Sequence, residues 1–69
     1  MAIKPEKHFF NHYTMLNCIR YFNENKIYTS TFRIRECYES KGRVNYYNTL
    51  KELENDGKIK KTARGWMIQ

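Results

Sequence analysis

The chain has 69 residues, and its 13 lysines and arginines against 7 aspartates and glutamates give it a formal net charge of +6. This length allows one small domain with a thin stability margin, and this charge favours polyanionic partners through long-range attraction. No apolar run approaches the roughly 20 residues that span a membrane, and MAIKPEKHFF lacks the apolar core of a signal peptide; we therefore expect a cytoplasmic protein, of a prokaryotic cell or a virus-infected host cell, that is not secreted.

The first predicted element is a helix over about residues 5–23. Pro5 suits its first position, where the missing N–H of proline does no harm. Apolar side chains recur at steps of three and four and should form one core-facing stripe. The stripe comprises Phe9, His12 or Tyr13, Leu16, Ile19 and Phe22, and it is widened by Phe10, Met15 and Cys18. Two short neighbouring helices could not bury this much apolar surface, so we expect a homodimer through the N-terminal helix.

A polar turn, a short strand and a second helix should follow. Residues 23–26 favour a turn, because they are polar and rich in side chains that bond to their own backbone. Residues 27–29 are β-branched and aromatic, which predicts a short strand able to pair with a C-terminal hairpin. Ser30 or Thr31 then suits the N-cap of a helix over about residues 30–40. The expected buried face holds Ile34, Cys37 and Tyr38, and the solvent face holds Arg33, Arg35, Glu36 and Glu39.

The two cysteines, Cys18 and Cys37, both lie among apolar and aromatic residues. Two cysteines are too few for the disulfide scaffold of a small secreted domain. Free cysteine tends to behave as a small buried hydrophobe. We therefore predict a pair of reduced, buried thiols.

A third helix is predicted over about residues 43–56. Gly42 allows a sharp reversal before it, and Gly57 allows the left-handed conformation that ends it. The spacing of its apolar residues places Tyr46, Leu50 and Leu53 on one inner face. The opposite side carries Asn45, Asn48, Lys51 and Glu52, with Tyr47 on the flank. These polar groups can reach outward to a partner.

Residues 58–69 predict a two-stranded hairpin with a basic tip. In its first strand, Ile59 should point one way and Lys58 and Lys60 the other. A second apolar run, Trp66-Met67-Ile68, follows a turn that contains Gly65.

From Ser30 to Ile68, the order of elements and the run LKELENDGKIKKTARGWMI resemble the winged helix-turn-helix family of DNA-binding domains. In that family, a recognition helix ending in Leu-x-x-Leu-x-x-x-Gly leads into a basic strand, a glycine-containing turn and an apolar strand. The resemblance implies one α+β domain over residues 1–69, a three-helix winged helix-turn-helix with a short strand after helix one and a C-terminal two-stranded wing. It also implies that helix three enters the major groove and that the wing touches the DNA backbone or minor groove.

The resemblance assigns DNA contacts to two groups of residues, and the local chemistry agrees. On the recognition helix they are Arg43, Asn45, Tyr47, Asn48 and Lys51, and on the wing they are Lys58, Lys60, Lys61 and Arg64. Asparagine amides suit an adenine edge, arginine and lysine suit guanine or phosphate, and tyrosine suits phosphate or sugar. The wing cations would supply the salt-sensitive part of the affinity. The sequence therefore predicts a duplex-DNA-binding protein, a small transcriptional or replication regulator that acts by occupying its site.

Several alternatives stay open at this point. Tyr46 and Trp66 could stack on bases of a single strand, although both fall at inward positions that favour core packing. The hairpin lysines could serve only to prevent pairing of an edge strand. The same fold also hosts protein-interaction modules of larger assemblies and RNA-binding domains.

Nothing in the sequence supports catalysis. No paired carboxylates, Ser-His-Asp set or phosphate-binding glycine loop can be assembled from it. His8 and His12 have the spacing of two metal ligands, but no third ligand is evident nearby. We therefore expect no enzyme activity, no metal, no cofactor and no small-molecule ligand.

Overall fold

Three helices and a C-terminal hairpin make up the part of the chain that the computed structural model describes, residues 7–69, with side chains from Phe10 onward. The elements are α1 (Lys7–Glu24), α2 (Thr31–Ser40), α3 (Tyr46–Asn55), β1 (Ile59–Thr62) and β2 (Gly65–Ile68). The two strands pair antiparallel, with Ile59 opposite Ile68 and Thr62 opposite Gly65. This is the predicted α+β layout and is consistent with a winged helix. The predicted helix start at Pro5 and the side chains of His8 and Phe9 lie outside the described residues.

The core side of α1 is rotated from the predicted stripe. Met15, Cys18 and Ile19 are almost completely buried, whereas Phe10 and Tyr13 keep 42% and 59% of their surface exposed. Met15 and Cys18 come from the second predicted set and Ile19 from the first, so neither set by itself describes the buried face. Because α1 carries apolar side chains around most of its circumference, its periodicity could not decide which face α2 and α3 would cover.

The predicted strand over residues 27–29 is wrong, because Thr29 alone pairs there. The Thr29 N–H donates to the Arg64 carbonyl (3.2 Å) and the Trp66 N–H donates to the Thr29 carbonyl (2.9 Å), which makes an isolated parallel bridge to the hairpin. The next residue already caps α2, since Ser30 Oγ accepts from the Arg33 N–H at 3.1 Å. Because α2 begins at Thr31, too few residues follow Thr29 for the pairing to extend into a strand.

The prediction of two reduced thiols is also wrong, because Cys18 and Cys37 form a disulfide that joins α1 to α2. Their Cα atoms are 6.1 Å apart, a separation typical of such bonds. Cys18 is buried and Cys37 is half-buried. Their apolar surroundings were predicted correctly, but only the packing of the two helices brings the sulfurs together.

The third helix begins at Tyr46, three residues later than predicted. Asn45 has a left-handed backbone (φ +65°), and the segment before it has no helical structure. The Tyr38 hydroxyl donates to the Val44 carbonyl at 3.0 Å and lies 3.1 Å from the Thr49 hydroxyl oxygen, so the extended connection is held from α2. Arg43 and Asn45 therefore precede the helix instead of lying on it.

The hairpin is fastened to the helices by two polar side chains. The Asn23 amide donates to the Thr29 hydroxyl (3.1 Å) and the Trp66 carbonyl (3.0 Å), and its oxygen accepts from the Ile68 N–H (3.0 Å). The Trp66 indole N–H donates to the Thr31 hydroxyl at 3.1 Å. Trp66 is therefore part of the scaffold, as expected. Asn23, which the sequence suggested only as a turn residue, fixes the base of the hairpin.

Candidate nucleic-acid interface

The two sides of α3 differ sharply in burial. Leu50 and Leu53 are buried in the core, as predicted, and Tyr46 packs against it. The outward side exposes the predicted residues Tyr47, Asn48, Lys51 and Glu52, together with Asn55. Because the fold uses only the inner side, the outward side is available to a partner.

Asn55 is a candidate contact that the sequence analysis missed. It lies four residues after Lys51 and seven after Asn48, so the three share one helical face. All three are exposed. Helical periodicity could have identified Asn55. Its position beside the predicted helix end at residue 56, however, is also typical of a residue in the turn that follows.

The outward face of α3 is polar but nearly neutral. Lys51 Nζ lies 3.6 Å from Glu54 Oε1 and 5.7 Å from the centre of the Tyr47 ring. Glu52 Oε1 lies 2.6 Å from His12 Nε2, which connects α3 to α1. Exposed pairs of this kind contribute little to stability, about 0–1 kcal/mol. The face is therefore better suited to hydrogen-bonding a partner than to attracting it by charge.

The hairpin carries the free positive charge. Its four cations, Lys58, Lys60, Lys61 and Arg64, are all exposed. Within residues 7–69, none of them is paired with a carboxylate. Within the same residues, Lys61 is the one whose charged group lies over an aromatic ring, with Nζ 5.2 Å from the centre of the Trp66 ring. The exposed positive charge and the polar helix face thus lie on two neighbouring elements.

The structure separates Arg43 from the other predicted contacts. Its guanidinium carbon lies 5.7 Å from the centre of the Phe10 ring on α1, and its Nε is buried with no hydrogen-bond partner among the described residues. Asn45 is exposed, and although it is the N-cap of α3 its side chain makes no capping bond. The Asn45 amide is thus available to a partner, whereas the inner part of the Arg43 side chain is engaged in the fold.

Protein-family models, curated proteins and solved structures gave no significant match. What the chain itself shows is the order of its elements, three helices followed by a two-stranded antiparallel sheet, a layout consistent with a winged helix.

Two further properties of the described residues bear on function. No helix in residues 7–69 is both long enough and apolar enough to cross a membrane. No group of three or more His, Cys, Asp or Glu side chains in that part of the chain could hold a metal ion. His12, half of the histidine pair considered from the sequence, contacts Glu52, and the His8 side chain lies outside the described residues.

Proposed function

We propose that this protein binds duplex DNA and acts as a small transcriptional or replication regulator by occupying its site. The observation that supports this proposal is the pairing of an outward, polar α3 face with four hairpin cations that the fold leaves unpaired. Duplex DNA presents base edges in a groove wide enough for a helix, beside a line of phosphates. A helix with free amides next to a cationic hairpin matches both features.

The proposed roles differ between the two elements. Asn48, with Asn45 and the newly identified Asn55, offers amides that can read base edges, whereas Tyr47 and Lys51 reach phosphate or sugar. The hairpin cations bind phosphates whatever the sequence. Arg43, placed against α1, is assigned to phosphate near the start of α3 and not to a base edge.

Binding to duplex DNA should weaken steeply with salt. Neutralising about four phosphates with the hairpin cations alone gives a slope of log affinity against log salt near −3.6, or about a hundredfold loss between 50 and 200 mM salt, and phosphate contacts from Lys51 and Arg43 would steepen it. Lys60→Ala should lower affinity for all sequences alike and reduce this slope by about 1, whereas Asn48→Ala should change the preference among sequences. Fluorescence anisotropy on random duplexes and on duplexes retained from the source genome measures both effects.

Arg20→Gln serves as the control, because it removes the same charge from α1. Its effect on the slope should be smaller than that of Lys60→Ala. Lack of binding by the wild-type chain at low salt would overturn the DNA proposal. Identical effects of Asn48→Ala and Lys60→Ala on every sequence would overturn the role given to α3.

A protein-interaction module of a larger assembly is the second candidate function. Phe32 on α2 and Val44 before α3 are about two-thirds exposed and lie outside the polar face of α3. Exposed apolar groups of this kind suit a protein partner. An RNA-binding winged helix is the third candidate, and competition between duplex DNA and RNA in the same anisotropy assay separates it from the first.

We also propose a homodimer through α1. Tyr13 and Tyr21 on α1 keep 59% and 58% of their surface exposed in the single chain, and Phe10, beside Arg43, keeps 42%. Sedimentation velocity at micromolar concentration should show a dimer, and Tyr13→Glu should convert it to a monomer because a charge would be buried between the helices. Phe32→Glu, at an equally exposed ring on α2, should remain dimeric. A wild-type monomer at that concentration would contradict the proposal.

A cytoplasmic site of action, in a prokaryotic or virus-infected cell, belongs to the same proposal. The disulfide restricts the kind of cytoplasm, because glutathione and thioredoxin keep most cytosolic thiols reduced. A cytoplasmic location and a stable disulfide are best combined in the cells of hyperthermophiles, whose intracellular proteins retain disulfides. Thiol labelling of the protein immediately after lysis of its source cells tests whether the bond persists there.

A further inference from the structure

A cleft of about 390 Å³ lies beside the tip of the hairpin and shares only Arg64 with the interface described above. The α1–α2 connection forms one wall with Lys26, Ile27 and Tyr28, and the hairpin forms the other with Arg64 and Met67. The volume is within the range of about 300–1,000 Å³ typical of ligand sites. The cleft is therefore large enough for more than a water molecule.

The wall formed by the connection is held in place by the fold. Asn23, which lines the bottom, is fully used in its bonds to Thr29, Trp66 and Ile68. The Tyr28 carbonyl accepts a hydrogen bond from Arg33 Nη1 at 2.6 Å, while the Tyr28 ring remains 52% exposed. The backbone of this wall is thus fixed and the Tyr28 ring is left open to a partner.

Lys26 occupies a backbone conformation that disfavours any side chain. It lies two residues after the end of α1 with φ +56°, and the Lys26 N–H donates to the Asn23 carbonyl (3.1 Å) while the Ile27 N–H donates to the Phe22 carbonyl (2.9 Å). This pattern is the C-terminal motif in which glycine is usually found. The corresponding left-handed positions after the other two helices are the glycines at 42 and 57. The left-handed backbone at Lys26 is thus unfavourable. No side-chain contact of Lys26 compensates for it, since this side chain has no ion pair or hydrogen bond within residues 7–69.

The charged groups of the cleft indicate what it binds. Lys26 and Arg64 are its only charged lining residues, one on each wall, and both are unpaired within residues 7–69. The rest of the lining includes the apolar side chains of Ile27 and Met67 and the ring of Tyr28. A cleft with one cation on each wall and apolar side chains beside them suits an anion attached to a compact, partly apolar body.

We propose that this cleft binds a phosphate together with its sugar, with Lys26 and Arg64 on the phosphate and Tyr28 against the sugar. On the proposed function, which this inference deepens, the ligand is one nucleotide of the DNA backbone beside the hairpin. The DNA-binding surface then extends past the hairpin to the α1–α2 connection. A free nucleoside monophosphate has the same chemistry, so the experiment separates the two sources.

The first experiment compares Lys26→Gln with Arg20→Gln, which removes the same charge from α1. Lys26→Gln should weaken duplex binding about three- to tenfold at low salt and reduce the salt slope by about 0.9, as expected for one lost phosphate contact. Arg20→Gln should have a clearly smaller effect on both the affinity and the slope. Lys26→Gly should lose affinity similarly and unfold at the same or a higher temperature, because glycine relieves the left-handed strain. If Lys26 had only a structural role, Lys26→Gly would not lower the affinity for duplex while keeping or raising the unfolding temperature.

The second experiment titrates deoxythymidine monophosphate and, separately, inorganic phosphate into the ¹⁵N-labelled wild-type chain. Saturable shifts at the amides of Lys26, Tyr28 and Arg64 that vanish in Lys26→Gln support the cleft as a phosphate site, even if duplex binding fails. Loss of duplex affinity in Lys26→Gln without such shifts supports the DNA backbone as the ligand. If the wild type binds duplex, Lys26→Gln matches Arg20→Gln and no shifts appear, the cleft proposal is overturned while the proposed function stands. No duplex binding and no shifts would overturn both.

Discussion

Gly65→Ala should remove most of the domain's free energy of unfolding at room temperature. A Cβ built on Gly65 lies 2.3 Å from the Thr29 carbonyl oxygen and 2.7 Å from its carbonyl carbon, and both are backbone atoms that cannot rotate away. The backbone of Gly65 is also left-handed, with φ +87°, which costs a non-glycine residue about 1–2 kcal/mol. Together, strain and overlap should cost about 4 kcal/mol or more, against a total stability of about 5 kcal/mol for a domain of this size.

Gly57→Ala is the matched control for this prediction. Gly57 is equally left-handed, with φ +73°, but an added Cβ meets no atom within 4 Å. It should therefore lose only the conformational part, about 1 kcal/mol. Urea unfolding followed by tryptophan fluorescence measures both variants. Equal losses would show that the bridge between Thr29 and the hairpin is not tightly packed.

Reduction of the bond between Cys18 and Cys37 should remove about 3 kcal/mol of stability, because the 19-residue separation closes a loop whose freedom the unfolded chain then regains. Cys37 lines an open cleft with Phe22 and Ile27, so a dithiol reductant can reach its sulfur. The reductant is oxidised to its own disulfide, and two protein thiols are released. Thermal unfolding with and without reductant should show a fall of about 10 °C or more in the midpoint for a chain this short.

The double variant Cys18→Ala, Cys37→Ala is the control for this measurement. Its unfolding midpoint should be close to that of the reduced wild type and should not respond to reductant. Two titratable thiols in the denatured, unreduced wild type would contradict the bond and restore the prediction made from the sequence.

Local signals in the sequence predicted much of the scaffold correctly. Ser30 caps α2, and the left-handed glycines at 42 and 57 lie in the turns after α2 and α3. The buried positions of Leu50, Leu53 and Ile59 also follow from spacing. Each of these features depends on residues within one or two turns of one another, which is the range that periodicity and capping rules describe.

The errors concern contacts between residues distant in sequence. The face of α1 that is buried, the partner of each cysteine and the role of Asn23 all depend on which elements pack together. The start of α3 depends on the Tyr38 hydroxyl, eight residues before the first helical residue, holding the Val44 carbonyl. The prediction that α3 starts directly after Gly42 used only neighbouring residues, so it contains no information about that hydrogen bond.

For the candidate interface, the sequence alone determined the composition: a polar helix face followed by four cations within residues 58–64. The tertiary structure decided which of these groups remain free. It placed Arg43 against Phe10, left the Asn45 amide uncapped and set Lys26 across a cleft from Arg64. The physical reason is that charge and periodicity are properties of neighbouring residues, whereas the availability of a side chain depends on what the folded chain brings beside it.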